Sequence, residues 1–177
     1  MDTRHAVIES PLGQITLVAM GEALTGLYFP HHWYMPPADT FGDRVEAFDD
    51  VVLAVASVQL GEYFREGRTT FNLTTVTRGD HFQEQVWALL KEIPSGTTTT
   101  YGDLAESLGN KSLAQQVGKA VGQNPLCIIV PCHRAVGKGG KLTGYAGGLR
   151  RKQFLLDLEE TEESRAAREL VDAEKLF

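Results

Sequence analysis

The spacing of apolar residues changes character along this chain, and that change limits the folds open to it. Over the first thirty residues the pattern alternates as it does in short strands: His5–Glu9, Gln14–Ala19 and Leu24–Phe29, with Pro11-Leu12-Gly13 as a turn. After Thr77–Gly79 it follows a helical period, and Phe82, Val86, Leu89, Leu90 and Ile93 form one stripe. Strand side chains alternate faces, whereas helical side chains return to a face every third or fourth residue. Each half therefore buries a different kind of surface. The expected class is α+β, with strands paired in an antiparallel sheet first and a helical unit second.

Between these regions Pro30–Gly42, with three prolines, reads as a loop. Val45, Phe48, Val52, Val55 and Tyr63 then recur at helical spacing, giving a helix that ends near Gly67. Phe71–Val76 is expected to return as a strand. In the second half, Asp80-x-x-Gln83 is a capping-box pattern and Pro94-Ser95-Gly96 a stop. Tyr101–Leu108 reads as a short helix, Gly109-Asn110-Lys111 as a turn, and Ser112 as the cap of a helix running to Gly122. Two short helices joined by such a turn fit a helix-turn-helix, and equally a helical hairpin inside a core. A last helix starts near Leu149 and carries Phe154, Leu155 and Leu158. The expected division is 1–77, 78–160, and an acidic tail over 161–177, helical or frayed.

Several classes drop out. No apolar run approaches the roughly 20 residues of a membrane span, and the N-terminus lacks a basic-then-apolar leader pattern. Two cysteines five positions apart, Cys127 and Cys132, are no disulfide framework, so a reducing cytoplasm is the expected location. No Cys/His grouping suggests zinc, and His31-His32 reads as solvated loop. The net charge of −6 speaks against a nucleic-acid partner, but its distribution does not. Residues 81–156 carry 9 Lys/Arg against 4 Asp/Glu, between two acidic segments. A basic stretch of that kind suits phosphates.

The residues most suggestive of chemistry are Ile128-Ile129-Val130-Pro131-Cys132-His133-Arg134. The β-branched run reads as a buried strand that Pro131 ends, delivering Cys132 at its rim. A thiolate is the nucleophile and a free thiol titrates near ~8.5, so His133 is the obvious activator. Neighbours on an extended chain point to opposite sides, so the pair must turn sharply or act through a water. Inert core is the other reading of Cys132, and it is the expected one for Cys127. The glycines at 137, 139, 140, 144, 147 and 148 let the following backbone approach a ligand closely.

In sequence order, Phe82-x3-Val86-Trp87, Ile93-Pro94-x-Gly96, Tyr101-Gly102-x-Leu104-Ala105, Val117-Gly118, Asn124-Pro125, Pro131-Cys132-His133-Arg134 and Leu142-x-Gly144-Tyr145-x-Gly147-Gly148 closely resemble the O6-alkylguanine-DNA alkyltransferases. The resemblance covers nearly the whole chain. It implies a small N-terminal α/β domain, a winged helix-turn-helix and no organic cofactor or metal. The partner it implies is double-stranded DNA containing O6-alkylguanine, bound by monomers, several of which can line one DNA. Alkylthymine is a second substrate that it leaves open. The implied reaction is one irreversible alkyl transfer per molecule onto Cys132.

In the same resemblance His133 is the base, acting through a bound water, Glu159 orients it, and Asn124 braces the turn. Tyr101 bonds the flipped base. Tyr145 and the Ala146 N–H form a wall that donates toward guanine, while the carbonyls of Cys132 and Ala135 accept from its amine. Lys111, Ser112 and Lys119 are the candidate phosphate contacts. Gln115 stands where the family has an inserted arginine, and it lacks that charge and planar fork. Its other reading is a reciprocal cap, Ser112-x-x-Gln115. Relatives that only bind lesions lack the acceptor cysteine, and a Cys/His hydrolase would turn over repeatedly.

Overall fold

The computed structural model describes residues 2–176. Strand β1 (Thr3–Ser10) turns through Pro11 and Leu12 into β2 (Gly13–Met20), with Ser10 opposite Gly13 and Thr3 opposite Met20. Gly13 sits at φ 94°, a conformation that favours glycine. β2 pairs antiparallel with β3 (Ala23–Tyr28). The two-residue β4 (Asp43–Arg44) then joins β1 in parallel, so the expected antiparallel sheet is mixed, in the order β3-β2-β1-β4. The cause is the proline-rich connection, which carries the chain from one edge of the sheet to the other.

Helix α1 (Val51–Arg65) starts at Asp50, whose carboxylate accepts from the Leu53 N–H at 3.0 Å and is gripped by Arg4 at 2.6 Å. Leu53, Ala56, Leu60 and Tyr63 form its buried face. The expected helix was too long and partly on the wrong face. Val45 and Phe48 precede it, Phe48 is 74% exposed, and Val55 is also outside. The sequence holds two apolar stripes here, and periodicity alone does not say which one meets the sheet. The strand expected over Phe71–Val76 does not form. Leu24 exchanges backbone bonds with Thr74 and Val76, but the Gln59 amide holds the backbone of Asn72 from both sides, at 2.9 and 3.0 Å. The segment is thus tied to α1 rather than paired along the sheet.

In the second half α2 (His81–Lys91) carries the expected capping box between Asp80 and Gln83. α3 (Tyr101–Ser107) and α4 (Ala114–Gly122) form the helix-turn-helix. The Trp87 indole locks α2 to α4 by donating to the Ala120 carbonyl at 2.8 Å. The cap differs from expectation. Asn110, not Ser112, caps a 3-10 turn over Lys111–Leu113, accepting from the Ser112 N–H and hydroxyl. That turn moves the start of α4 to Ala114 and leaves α4 with no side-chain cap, so the reciprocal cap by Gln115 is absent. β5 (Thr99–Thr100) pairs parallel with β6 (Ala135–Val136) beside these helices.

The run Ile128–Val130 is not a strand. Ile128 adopts φ 73°, uncommon and strained for a β-branched residue, and the chain folds back so that Cys127 faces Val130. Burial of Ile128 and Val130, rather than sheet pairing, is what this apolar run serves, and Ile129 stays half-buried. α5 (Leu149–Glu159) turns Lys152, Leu155 and Glu159 inward, while Phe154 and Leu158 stay partly exposed. α6 (Glu162–Glu174), capped by Thr161, is solvent-exposed. One apolar cluster joins both halves, from Leu17, Leu27 and Leu60 to Val86, Val117 and Leu155. No helix of the described residues is long and apolar enough to cross a membrane.

Candidate active site

Cys132 begins a 3-10 turn over Cys132–Arg134, seated between the strained Ile128 turn and β6. The Cys-His neighbours therefore sit on a sharp turn. Asn124 holds the approach to it: its amide donates to the Val130 carbonyl at 2.8 Å, and its carbonyl accepts from the Leu126 N–H at 2.9 Å. The Cys132 N–H donates to the Val130 carbonyl as well, at 2.8 Å. The thiol is 2% exposed.

Behind it lies a buried charge network. Glu159 accepts from Tyr63 at 2.7 Å, from His133 Nε2 at 2.8 Å, and from Arg134 Nε and Nη2 at 2.8 Å each. Burial alone would raise this carboxyl, but the bonds from Arg134, His133 and Tyr63 outweigh it and hold its pKa at about 2. An ionised carboxylate only accepts, so His133 carries its proton on Nε2. Its Nδ1 is therefore the basic atom of the neutral ring, and it is buried without a hydrogen-bond partner among the described residues. Burial pushes the ring's pKa down, against the pull of Glu159, so it remains a free base at neutral pH.

Two spaces meet at Tyr101, on the side of the site that Tyr101 and Tyr145 form. A cavity of about 240 Å³ is lined by Trp33, Tyr101, Gly118, Thr143, Tyr145 and Ala146, among others. Tyr101 and Gly118 also line a cleft of about 670 Å³ with Lys111, Gln115 and Lys138, at the front of the helix-turn-helix. Tyr101 and Tyr145 are close enough to the Cys132 sulfur for its charge to raise their pKa values, after the larger effect of burial. Lys152 is fully buried, and its ammonium donates to the carbonyls of Ala135 at 2.7 Å, Thr143 at 3.0 Å and Gly144 at 3.3 Å. Burial lowers its pKa to about 8.

A family model described as the DNA binding domain of 6-O-methylguanine DNA methyltransferase matches residues 81–161. Another, described as the ribonuclease-like domain of the same protein, matches residues 3–77. The methylated-DNA–protein-cysteine methyltransferase of Mycolicibacterium paratuberculosis is 43% identical over 155 residues, covering 88% of this chain and 91% of that protein. The one from Methanosarcina acetivorans is 42% identical over 156 residues, covering 88% and 97%. This chain belongs to that family. Among solved structures, Mycobacterium tuberculosis OGT in complex with DNA has a TM-score of 0.81 at 39% identity, covering 89% of this chain and 92% of that one.

Against this family frame, the structure brings Cys132, His133, Glu159 and Asn124 together in the interior. Tyr101, Tyr145 and Ala146 line the small cavity, and Gln115 and Lys111 the outer cleft. Ser112 and Lys119 are exposed near that front but line neither space. Two expected acceptors are already engaged: the Ala135 carbonyl by Lys152, and the Cys132 carbonyl by the Ala135 N–H. Each retains a second lone pair for a ligand. Sequence reading missed Tyr63, 96 positions from Glu159 and without any local signal. It also missed Arg134, whose place beside His133 was a usable hint, and Lys152, hidden in the basic run Arg150-Arg151-Lys152. His32 was read as solvated, yet it is 7% exposed, because its ring accepts from the Phe29 N–H and packs against Tyr28 and Phe29.

Proposed function

We propose that Cys132 is the acceptor through which this chain performs its activity, methylated-DNA–protein-cysteine methyl transfer, with O6-alkylguanine in duplex DNA as the substrate. The observation that carries this reading is the unpartnered, basic Nδ1 of His133, fixed by Glu159, on the residue that follows a buried thiol. His133 Nδ1 takes the thiol proton through a water, and the resulting imidazolium is held by the Glu159 carboxylate. The thiolate attacks the alkyl carbon. An S–C bond forms, the C–O6 bond breaks, and its electron pair leaves with guanine, which takes up a proton in place of the one lost by the thiol. The thioether is stable, so each molecule acts once.

The base must leave the stack to reach a buried thiol. The 240 Å³ cavity behind Tyr101 is the receiving space, with Tyr145 and Ala146 as its wall. The cleft at Lys111, Gln115 and Lys138 accepts the duplex, with Lys111, Ser112 and Lys119 on the phosphates. Functionally the chain divides into 1–77, 78–160 and the tail 161–177, and it acts as a monomer. Two free thiols accord with a reducing cytoplasm.

Intact mass after incubation with duplex DNA carrying O6-methylguanine tests the reading. The expected gain is one methyl group per protein, mapped to Cys132 and absent in Cys132→Ser. Repeated turnover, or methyl on Cys127, contradicts it.

A further inference from the structure

Cys127 and His32 take no part in the transfer as proposed, yet they stand directly behind its nucleophile. Cys127 is fully buried, and its Sγ is 3.7 Å from the Cys132 Sγ. On its other side the same sulfur is 3.7 Å from Nε2 of His32, in the loop after β3. One backbone amide sets the direction of these bonds. The Phe29 N–H can only donate, and it meets His32 Nδ1 at 3.2 Å. Burial, helped by the charge of Arg151, lowers the His32 pKa to about 4, so the ring is neutral and its one proton sits on Nε2. Nε2–H then donates to Cys127, whose own S–H is left to donate onward.

We propose that His32 and Cys127 are positioning residues, a directed hydrogen-bond chain running from Phe29 N–H through His32 and the Cys127 S–H to the Cys132 sulfur, which holds Cys132 as the attacking thiolate. The proposal rests on Cys132 being the acceptor. A thiolate in so dry a place needs donors to replace water, and a hydrogen bond to an ion is among the stronger ones. The other groups facing Cys132 are the Asn124 amide, the Lys152 ammonium from α5, His133 beside it, and the Tyr101 and Tyr145 hydroxyls. Tyr28 and Tyr145 also face Cys127, and the buried Tyr145 hydroxyl is a second donor toward its sulfur, drawing the Cys127 pKa down against the larger push from the Cys132 bond and burial. The Cys127 bond is the largest influence drawing the Cys132 pKa down, against burial, while the same bond and burial push Cys127 well up. Of the two thiols, Cys132 ionises and Cys127 keeps its proton.

The test follows thiolate ultraviolet absorbance against pH in the full chain, with Cys132→Ser marking which signal belongs to Cys132. Single-turnover transfer from methylated duplex is measured alongside. Cys127→Ala should raise the thiolate midpoint by about one pH unit and slow transfer at neutral pH about tenfold, with recovery at alkaline pH. Cys127→Ser keeps a donor and should restore both to within about twofold of wild type. His32→Asn, which preserves an acceptor for Phe29 but not the Nε2 donor, should shift the midpoint in the same direction by less. An unchanged midpoint in Cys127→Ala, or equal shifts in the Ala and Ser variants, overturns the chain. Should wild type fail to methylate Cys132 while the thiolate titrates as described, the functional reading falls and the hydrogen-bond chain stands.

Discussion

Glu159 shows how a single side chain ties stability to the proposed chemistry. Four donor atoms from three residues converge on it from two parts of the chain, and one of them, the Tyr63 hydroxyl, belongs to the N-terminal half. Its folded-state pKa of about 2 lies below the ordinary 4.5. The stability it contributes is therefore complete above pH 4.5 and is lost as pH falls toward 2, since the unfolded chain binds the proton first. Tyr63→Phe removes one donor to the ionised carboxylate and should cost about 1–3 kcal/mol at neutral pH. The difference from wild type should shrink as Glu159 becomes protonated. Thermal melts across this range check it, and a difference that ignores pH would mean that Tyr63 contributes packing alone. Nothing local announced this contact. The Cys-His pair was legible because its chemistry sits in adjacent residues, whereas Tyr63 and Glu159 meet only once both halves have folded.

At the scale of elements, what was legible was whatever one segment decides alone. The Asp80–Gln83 capping box and the β1–β2 turn depend on residues within a few positions of each other, and both form as read. Two of the failures had causes outside the segment. Phe71–Val76 is diverted by Gln59, and Ile128 is forced through a left-handed turn by its surroundings. Ser112 lost the cap to Asn110, two residues earlier, and this sharpens the question of Gln115. With no capping role there, Gln115→Ala should change stability by less than about 0.5 kcal/mol. Insertion into the duplex remains as its proposed task, and an arginine would perform that with charge and a planar fork. Gln115→Arg should speed transfer from duplex DNA while leaving free O6-methylguanine unaffected, because a free base needs no unstacking. Rapid-quench rates on both substrates decide it. Equal duplex rates for wild type, Ala and Arg variants would remove the insertion role.

Across the whole molecule, a protein of net charge −6 has to approach a polyanion. The basic segment 81–156 supplies the attraction, but its formal charge overstates what DNA meets. Arg134 is spent on Glu159, and Lys152 is sealed behind Tyr101 and the Ala135 carbonyl. Of the exposed lysines of the segment, Lys111 and Lys138 line the cleft in front of Tyr101, and Lys119 lies on α4 of the helix-turn-helix. The acidic residues of α6 follow α5 at the other end of the chain order and add to the net repulsion at long range. Salt screens that repulsion and also weakens the lysine–phosphate contacts, with opposite effects on affinity. Counterion release dominates at close contact, so log affinity for duplex DNA should fall linearly with log salt, by about 0.9 per phosphate neutralised. Three lysines give a slope of roughly 3, far less than the basic segment's cation count suggests. Lys111→Gln should lower the slope by about 0.9 and leave single-turnover transfer at saturating DNA unchanged. Fluorescence anisotropy over a salt series measures both slopes. An affinity indifferent to salt, or a Lys111→Gln slope equal to wild type, would mean that the duplex is held by another face of the molecule.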